Sequence, residues 1–161
     1  MKQLVLILSI PLLLSATAVN AAPVIFIVRH AEKASSGGND PDLSPDGQKR
    51  ADALAHILKD SQVTSVFVTE FKRTQQTAAP TAKAVQVTPT VVSSNEIGAL
   101  AEKLRASNGN ALVVGHGNTI PDLLKALGIA TPVSIPDDDY TEVFVVVLGT
   151  EPQLLRLHYP F

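Results

Sequence analysis

The sequence predicts an α/β fold, a three-layer α/β/α sandwich around a mostly parallel central sheet. Three observations carry this. Short runs of Val, Ile and Phe alternate with longer stretches of helical period. The first run, Val24 to Val28, is apolar throughout, as a central strand buried on both faces requires. The conspicuous polar groups fall just after predicted strands, where open parallel sheets bind ligands.

The chain has 161 residues, 45% of them hydrophobic, with no cysteine and a formal net charge of −2. That length fits one modest domain. The beginning reads as a leader: Lys2, an apolar run from Leu4 to Leu14, then small residues ending Val19-Asn20-Ala21. Residues 1–21 are therefore expected to be a secretory signal peptide, cleaved after Ala21, and residues 22–161 a single folded domain. The apolar run is interrupted by Ser9 and Pro11 and is too short to cross a bilayer. The expected destination is the periplasm or the medium, with no stable membrane anchor after cleavage. A chain of this size buries enough apolar surface to dispense with disulfides.

After the first strand, residues 34–43 are rich in Ser, Gly, Asn, Asp and Pro and read as a loop. Ser44-Pro45 then pairs an N-cap residue with a proline at the first helical position. The helix so opened carries Ala51, Leu54, Ala55 and Leu58 on one stripe, with His56 beside it as a surface residue. Val63 to Val68 predicts a second strand, and a helix from Lys72 to Ala84 follows, with a kink or break expected at Pro80. Val91 and Val92 suggest a short third strand. Ile97, Leu100, Ala101 and Leu104 space another helix, ending near Asn108-Gly109. Ala111 to Val114 is the next buried strand, and Ile120, Leu123, Leu124 and Leu127 mark a helix closed by Gly128. Val143 to Leu148 and Leu154 to Leu157 read as two strands joined by a turn at residues 149–152.

Function classes narrow quickly. No basic block exists that could track a nucleic acid backbone. Thiolate chemistry and cysteine zinc sites are excluded without cysteine. No serine stands in a Gly-x-Ser-x-Gly turn. Asp137-Asp138-Asp139, between Pro136 and Tyr140, reads as a solvated loop rather than a cation site. What remains is Arg29-His30 after the first strand, Glu70 to Arg73 after the second, and Gly115-His116-Gly117 after the fourth. Two guanidinium forks suit phosphate oxygens, and two imidazoles offer a nucleophile and proton carriers. Phosphoryl transfer through a phosphohistidine, with a carboxylic acid to protonate the leaving oxygen, is the chemistry these groups can perform.

Val28-Arg29-His30-Ala31-Glu32, Leu43-Ser44-Pro45-Asp46-Gly47, Arg73-Thr74-Gln75-Gln76-Thr77-Ala78 and Val114-Gly115-His116-Gly117 together resemble the histidine phosphatase superfamily, the phosphoglycerate mutase-like fold. The resemblance spans nearly all of residues 22–161, and four separated elements agree in order and spacing. It implies that His30 is the phosphorylated nucleophile, that Arg29 and Arg73 bind the phosphoryl group, and that His116 hydrogen-bonds it in the transition state. It implies no metal or organic cofactor. Ala31 departs from the glycine the family usually has after the nucleophile, as in a subset reading Arg-His-Ala-Glu. For the proton donor the resemblance favours Glu96, whose pKa partial burial should raise, with Glu70 the competitor.

The expectation is a small exported phosphomonoesterase acting without metal on a small phosphorylated substrate. The alternatives are a protein phosphohistidine phosphatase and a non-catalytic binder of phosphorylated ligands on the same scaffold. A mutase is disfavoured, because little chain remains beyond the core to exclude water. The substrate's identity and the oligomeric state are not encoded in any motif.

Overall fold

The computed structural model describes residues 21–160. Apart from Ala21, the expected leader lies outside the described residues. Ten elements follow in order: β1 (Val24–Arg29), α1 (Pro45–Leu58), β2 (Val63–Val68), α2 (Lys72–Val85), β3 (Thr90–Val91), α3 (Ile97–Arg105), β4 (Asn110–Gly115), α4 (Ile120–Ala126), β5 (Glu142–Val147) and β6 (Gln153–His158). The six strands form one sheet in the order β3-β2-β4-β1-β5-β6. β1, β2, β3 and β4 run parallel, whereas β5 and β6 are antiparallel, so the sheet is mixed and mostly parallel.

Strand alternation builds two cores. Ile25, Ile27, Val113, Phe144 and Val146 face α3 and α4, meeting Leu100, Leu104, Leu123 and Leu127. Val28, Leu112, Val114, Val143 and Val145 face the other way, against Leu54 and Leu58 of α1 and Ala78 and Ala82 of α2. The uninterrupted apolar sequence of β1 is explained by this, since both of its faces are covered.

The helix signals act as their chemistry predicts. The Ser44 side chain accepts a hydrogen bond from the Gly47 N–H (3.1 Å) at the start of α1, and Gly128 adopts a φ of +94° after α4. His56 is exposed, as expected. The expected break at Pro80 does not occur: α2 continues through it to Val85. A proline removes one N–H from the ladder, and α2 holds its line by packing Thr74, Thr77, Ala78, Thr81 and Ala82 as a buried stripe.

At Gly47 the lack of a side chain decides local architecture. A methyl group there would overlap the Glu32 carbonyl oxygen, which already accepts from the Ser44 N–H (2.8 Å). Gly47→Ala is therefore expected to cost about 2 kcal/mol or more through overpacking against backbone. A urea melt of the purified variant checks this, and an unchanged midpoint would contradict it.

Candidate active site

The parallel strands bring their carboxyl ends to one edge, and the site is assembled there. β1 ends at Arg29 and hands the chain to His30, whose N–H donates to the Gly115 carbonyl (2.9 Å) at the end of β4. His116 follows directly, so the two histidines come from adjacent parallel strands. Their ring centroids are 5.4 Å apart, edge to face.

His30 is buried at 5% exposure, and its Nδ1 lies 2.8 Å from the Ala31 carbonyl oxygen. A carbonyl only accepts, so Nδ1 carries the proton and Nε2 keeps its lone pair. Burial lowers the His30 pKa to about 4, with the neighbouring His116, Arg73 and Arg29 adding to the effect against the Ala31 hydrogen bond. His116 is likewise lowered to about 4, by burial first and then by Arg73 and Arg29, opposed by Glu70. Both rings are therefore neutral well below pH 7.

The backbone after His30 is tied to α2. The Ala31 N–H donates to the Thr77 hydroxyl (2.9 Å), which donates to the Arg73 carbonyl (2.7 Å). Arg73 enters the site from the first turn of α2. Its guanidinium lies 4.3 Å from the Phe71 ring centroid, and its Nη1 is 3.8 Å from Asp40 Oδ1. Arg29 is held differently. Its Nη1 donates to the carbonyls of Pro136 (2.8 Å), Asp137 (2.8 Å) and Asp139 (3.2 Å), and its guanidinium stacks 4.3 Å from the Tyr140 centroid. Its Nε is buried and has no partner among the described residues. Gly117 leaves room beside it, since a Cβ there would lie 3.7 Å from that nitrogen.

His30, His116, Arg29 and Arg73 thus converge as the sequence suggested. The two carboxylates do not fare equally. Glu96 is exposed at the N-cap of α3, and no hydrogen bond or ion pair ties it to the site. Glu70 sits at the rim, accepting from Ser94 Oγ (2.8 Å) and the Ser94 N–H (2.9 Å), close enough to act on His116. Glu70 is held below the ordinary carboxylate range. Its slight burial pulls the pKa up, but hydrogen bonds from its own backbone N–H and from Ser94, with His116, outweigh that and leave it lowered.

Four positioning residues escaped the sequence reading. Thr69 places its hydroxyl 3.0 Å from His116 Nε2, and Thr77 bridges the β1 loop to α2 as described. Tyr140 packs on Arg29 and lies 6.1 Å, centroid to centroid, from His30. Arg50 of α1 grips Glu32 through Nε and Nη2, so Glu32 does not pair with Arg29. The acidic loop of residues 137–139 is less free than expected: its backbone carbonyls hold Arg29, and Asp139 Oδ1 accepts from Thr141 N and Oγ1, both at 2.8 Å. No periodicity or motif announces a backbone carbonyl as a ligand.

Beside His116 and Arg73 a cleft of about 270 Å³ opens, also lined by Phe71, Ser94, Asn95, Asn118 and Thr119. A more enclosed apolar void lies beneath it, between β2, β4, α3 and α4, with room for about one water. Of the two, only the polar cleft is lined by one of the site histidines, His116.

Residues 25–97 match the family described as the histidine phosphatase superfamily (branch 1). No curated protein sequence matches the chain. Among solved structures, the protein histidine phosphatase SixA complexed with tungstate is similar at 20% identity and a TM-score of 0.70, over 84% of this chain and 96% of that one. Mycobacterial glucosyl-3-phosphoglycerate phosphatase is similar at 14% identity and a TM-score of 0.62, over 83% and 97%. Phosphoserine phosphatase from Entamoeba histolytica, in complex with 3-phosphoglyceric acid, is similar at 14% identity and a TM-score of 0.65, over 86% and 98%. The family match begins on β1 and takes in Arg29, His30 and Arg73, so over residues 25–97 this chain is similar to the histidine phosphatase superfamily, and over most of its length it shares the fold of these phosphatases.

Proposed function

We propose that the protein is a phosphomonoester hydrolase that works through a covalent phosphohistidine on His30 and needs no metal ion. The observation that carries the proposal is His30 itself: neutral, protonated at Nδ1 and therefore nucleophilic at Nε2, with two guanidinium groups beside it. Nε2 attacks phosphorus, and the bond to the leaving oxygen breaks. Arg29 and Arg73 balance the charge on the equatorial oxygens, and His116 donates a hydrogen bond to them. Water then displaces the phosphoryl group from His30, releasing inorganic phosphate. Glu70 is the proposed proton donor in place of Glu96, because its carboxylate is anchored by Ser94 at the edge of the cleft.

The direct test is labelling of the purified protein with a radiolabelled phosphomonoester, quenched in alkaline detergent. Acid-labile, base-stable label on wild type and none on His30→Ala is expected. A binder without turnover would retain no covalent label after denaturation.

A lowered Glu70 pKa has a kinetic consequence. Its protonated form is populated only in acid, whereas His30 stays neutral down to about pH 4. For alkyl esters, kcat/KM should be highest in acid, around the His30 pKa of about 4, and fall towards neutrality as Glu70 loses its proton. Glu70→Gln should lower alkyl ester hydrolysis by about 100-fold and flatten that fall, yet barely change p-nitrophenyl phosphate, whose leaving group needs no proton. Equal losses on both substrates would rule out the assigned role. The same feature favours a second reading, hydrolysis of a phosphorus–nitrogen bond such as phosphohistidine, since a departing imidazole does not depend on an acid. Retention of phosphohistidine peptide hydrolysis in Glu70→Gln, alongside negligible wild-type activity on alkyl esters, would select it.

A further inference from the structure

The cations at the site are few and already committed. Among the described residues, Arg29 and Arg73 are the basic side chains whose charges act on His30 and His116. A bound phosphate dianion matches their two charges. Around it stand carboxylates. Asp40 lies 3.8 Å from Arg73 and accepts from the Lys72 N–H (3.0 Å). Glu70 is fixed at the cleft by Ser94. Asp137 and Asp138 are exposed on the loop whose carbonyls hold Arg29. The nearest further cation, Lys72, is 58% exposed and faces Asp42 at 3.9 Å. The cleft for the leaving group is otherwise neutral: Ser94, Asn95, Asn118 and Thr119 offer hydroxyl and amide groups, and Phe71 an apolar face.

Resting on the phosphatase reading, we propose that this site selects by the charge of the leaving group. It accepts phosphomonoesters whose leaving group is uncharged or carries an ammonium, and it rejects those bearing a carboxylate or a second phosphate. Once the phosphoryl group has taken up the arginines, an anionic leaving group meets only like charge and neutral dipoles, a desolvated contact that costs affinity. An ammonium group meets Glu70 and Asp40 and can also donate to the Asn95 and Asn118 side-chain carbonyls.

The test uses p-nitrophenyl phosphate as the reporter and three unlabelled esters of similar size as competitors: O-phosphoethanolamine, glycerol 2-phosphate and 3-phosphoglycerate. At low ionic strength the first two should compete at least about tenfold more strongly than the third, and high salt should shrink the gap. The double variant Asp40→Asn/Asp137→Asn should narrow it to about threefold, read as the ratio of the inhibition constants of glycerol 2-phosphate and 3-phosphoglycerate. Equal competition by all three, stronger competition by 3-phosphoglycerate, or a gap insensitive to both salt and the double variant would overturn the proposal. Absence of p-nitrophenyl phosphate hydrolysis, or hydrolysis undiminished in His30→Ala, would instead overturn the phosphatase reading, and the charge rule with it.

Discussion

His30→Ala is expected to lower the rate of phosphate release by at least about 1,000-fold, the scale on which loss of a covalent nucleophile is felt. No other described nucleophile can take its place. The neighbouring imidazole, His116, is held 3.0 Å from the Thr69 hydroxyl through Nε2, and its backbone N–H is engaged with Thr119. The variant should still bind phosphate, because neither Arg29 nor Arg73 depends on the imidazole for its position: Arg29 is fixed by three carbonyls, and Arg73 rests on Phe71. Tungstate or phosphate affinity should therefore change little while kcat collapses. The measurement is phosphate release in the presence of a chelator, paired with anion binding by calorimetry. Equal rates for wild type and variant would remove His30 from the mechanism, and rates abolished by the chelator alone would point to a metal.

Glu32→Gln should destabilise the fold by about 3 kcal/mol, near the lower end of what breaking a buried ion pair costs. Arg50 is 6% exposed, and two of its nitrogens bind the Glu32 carboxylate, with its third directed to the Tyr159 carbonyl at 3.3 Å. Without the carboxylate the buried guanidinium loses its charge-assisted hydrogen bonds to Glu32. Because the Glu32 side chain is 23% exposed, water recovers part of the loss, which keeps the effect below the upper limit. Urea denaturation reads the change. The double variant Glu32→Gln/Arg50→Met should recover much of it, since the guanidinium that lost those bonds is then gone, and no recovery would show that the pair is not the cause. The same ion pair joins the segment just after His30 to α1. Glu32→Gln should therefore also lower kcat/KM modestly, severalfold rather than a thousandfold, with little change in the pH profile.

These two predictions divide along the line between what local sequence signals and what packing assembles. The strands and helices were legible because burial imposes periodicity: β1 is apolar throughout since both faces are covered, and α1 begins at Ser44 since a helix start needs an acceptor for its free N–H groups. Pro80 misled because its effect on a helix depends on what the rest of α2 packs against. For the site, Arg29, His30, Arg73 and His116 were legible because each follows a strand or opens a helix at one sheet edge. The proton donor was not. Glu96 and Glu70 are both acidic residues of plausible spacing, and only the fold shows that Ser94 draws Glu70 to the cleft while Glu96 faces solvent.

By itself, then, the sequence predicted the α/β/α architecture, the resemblance to the superfamily and the gathering of Arg29, His30, Arg73 and His116 at one sheet edge, because apolar periodicity and strand-end position are local properties written in adjacent residues. The tertiary structure alone decided which carboxylate stands at the cleft, that Glu32 pairs with Arg50, and that carbonyls of residues 136, 137 and 139 hold Arg29. These are contacts between segments up to 110 residues apart, and their energies depend on distance and burial, quantities that exist only once the chain has folded.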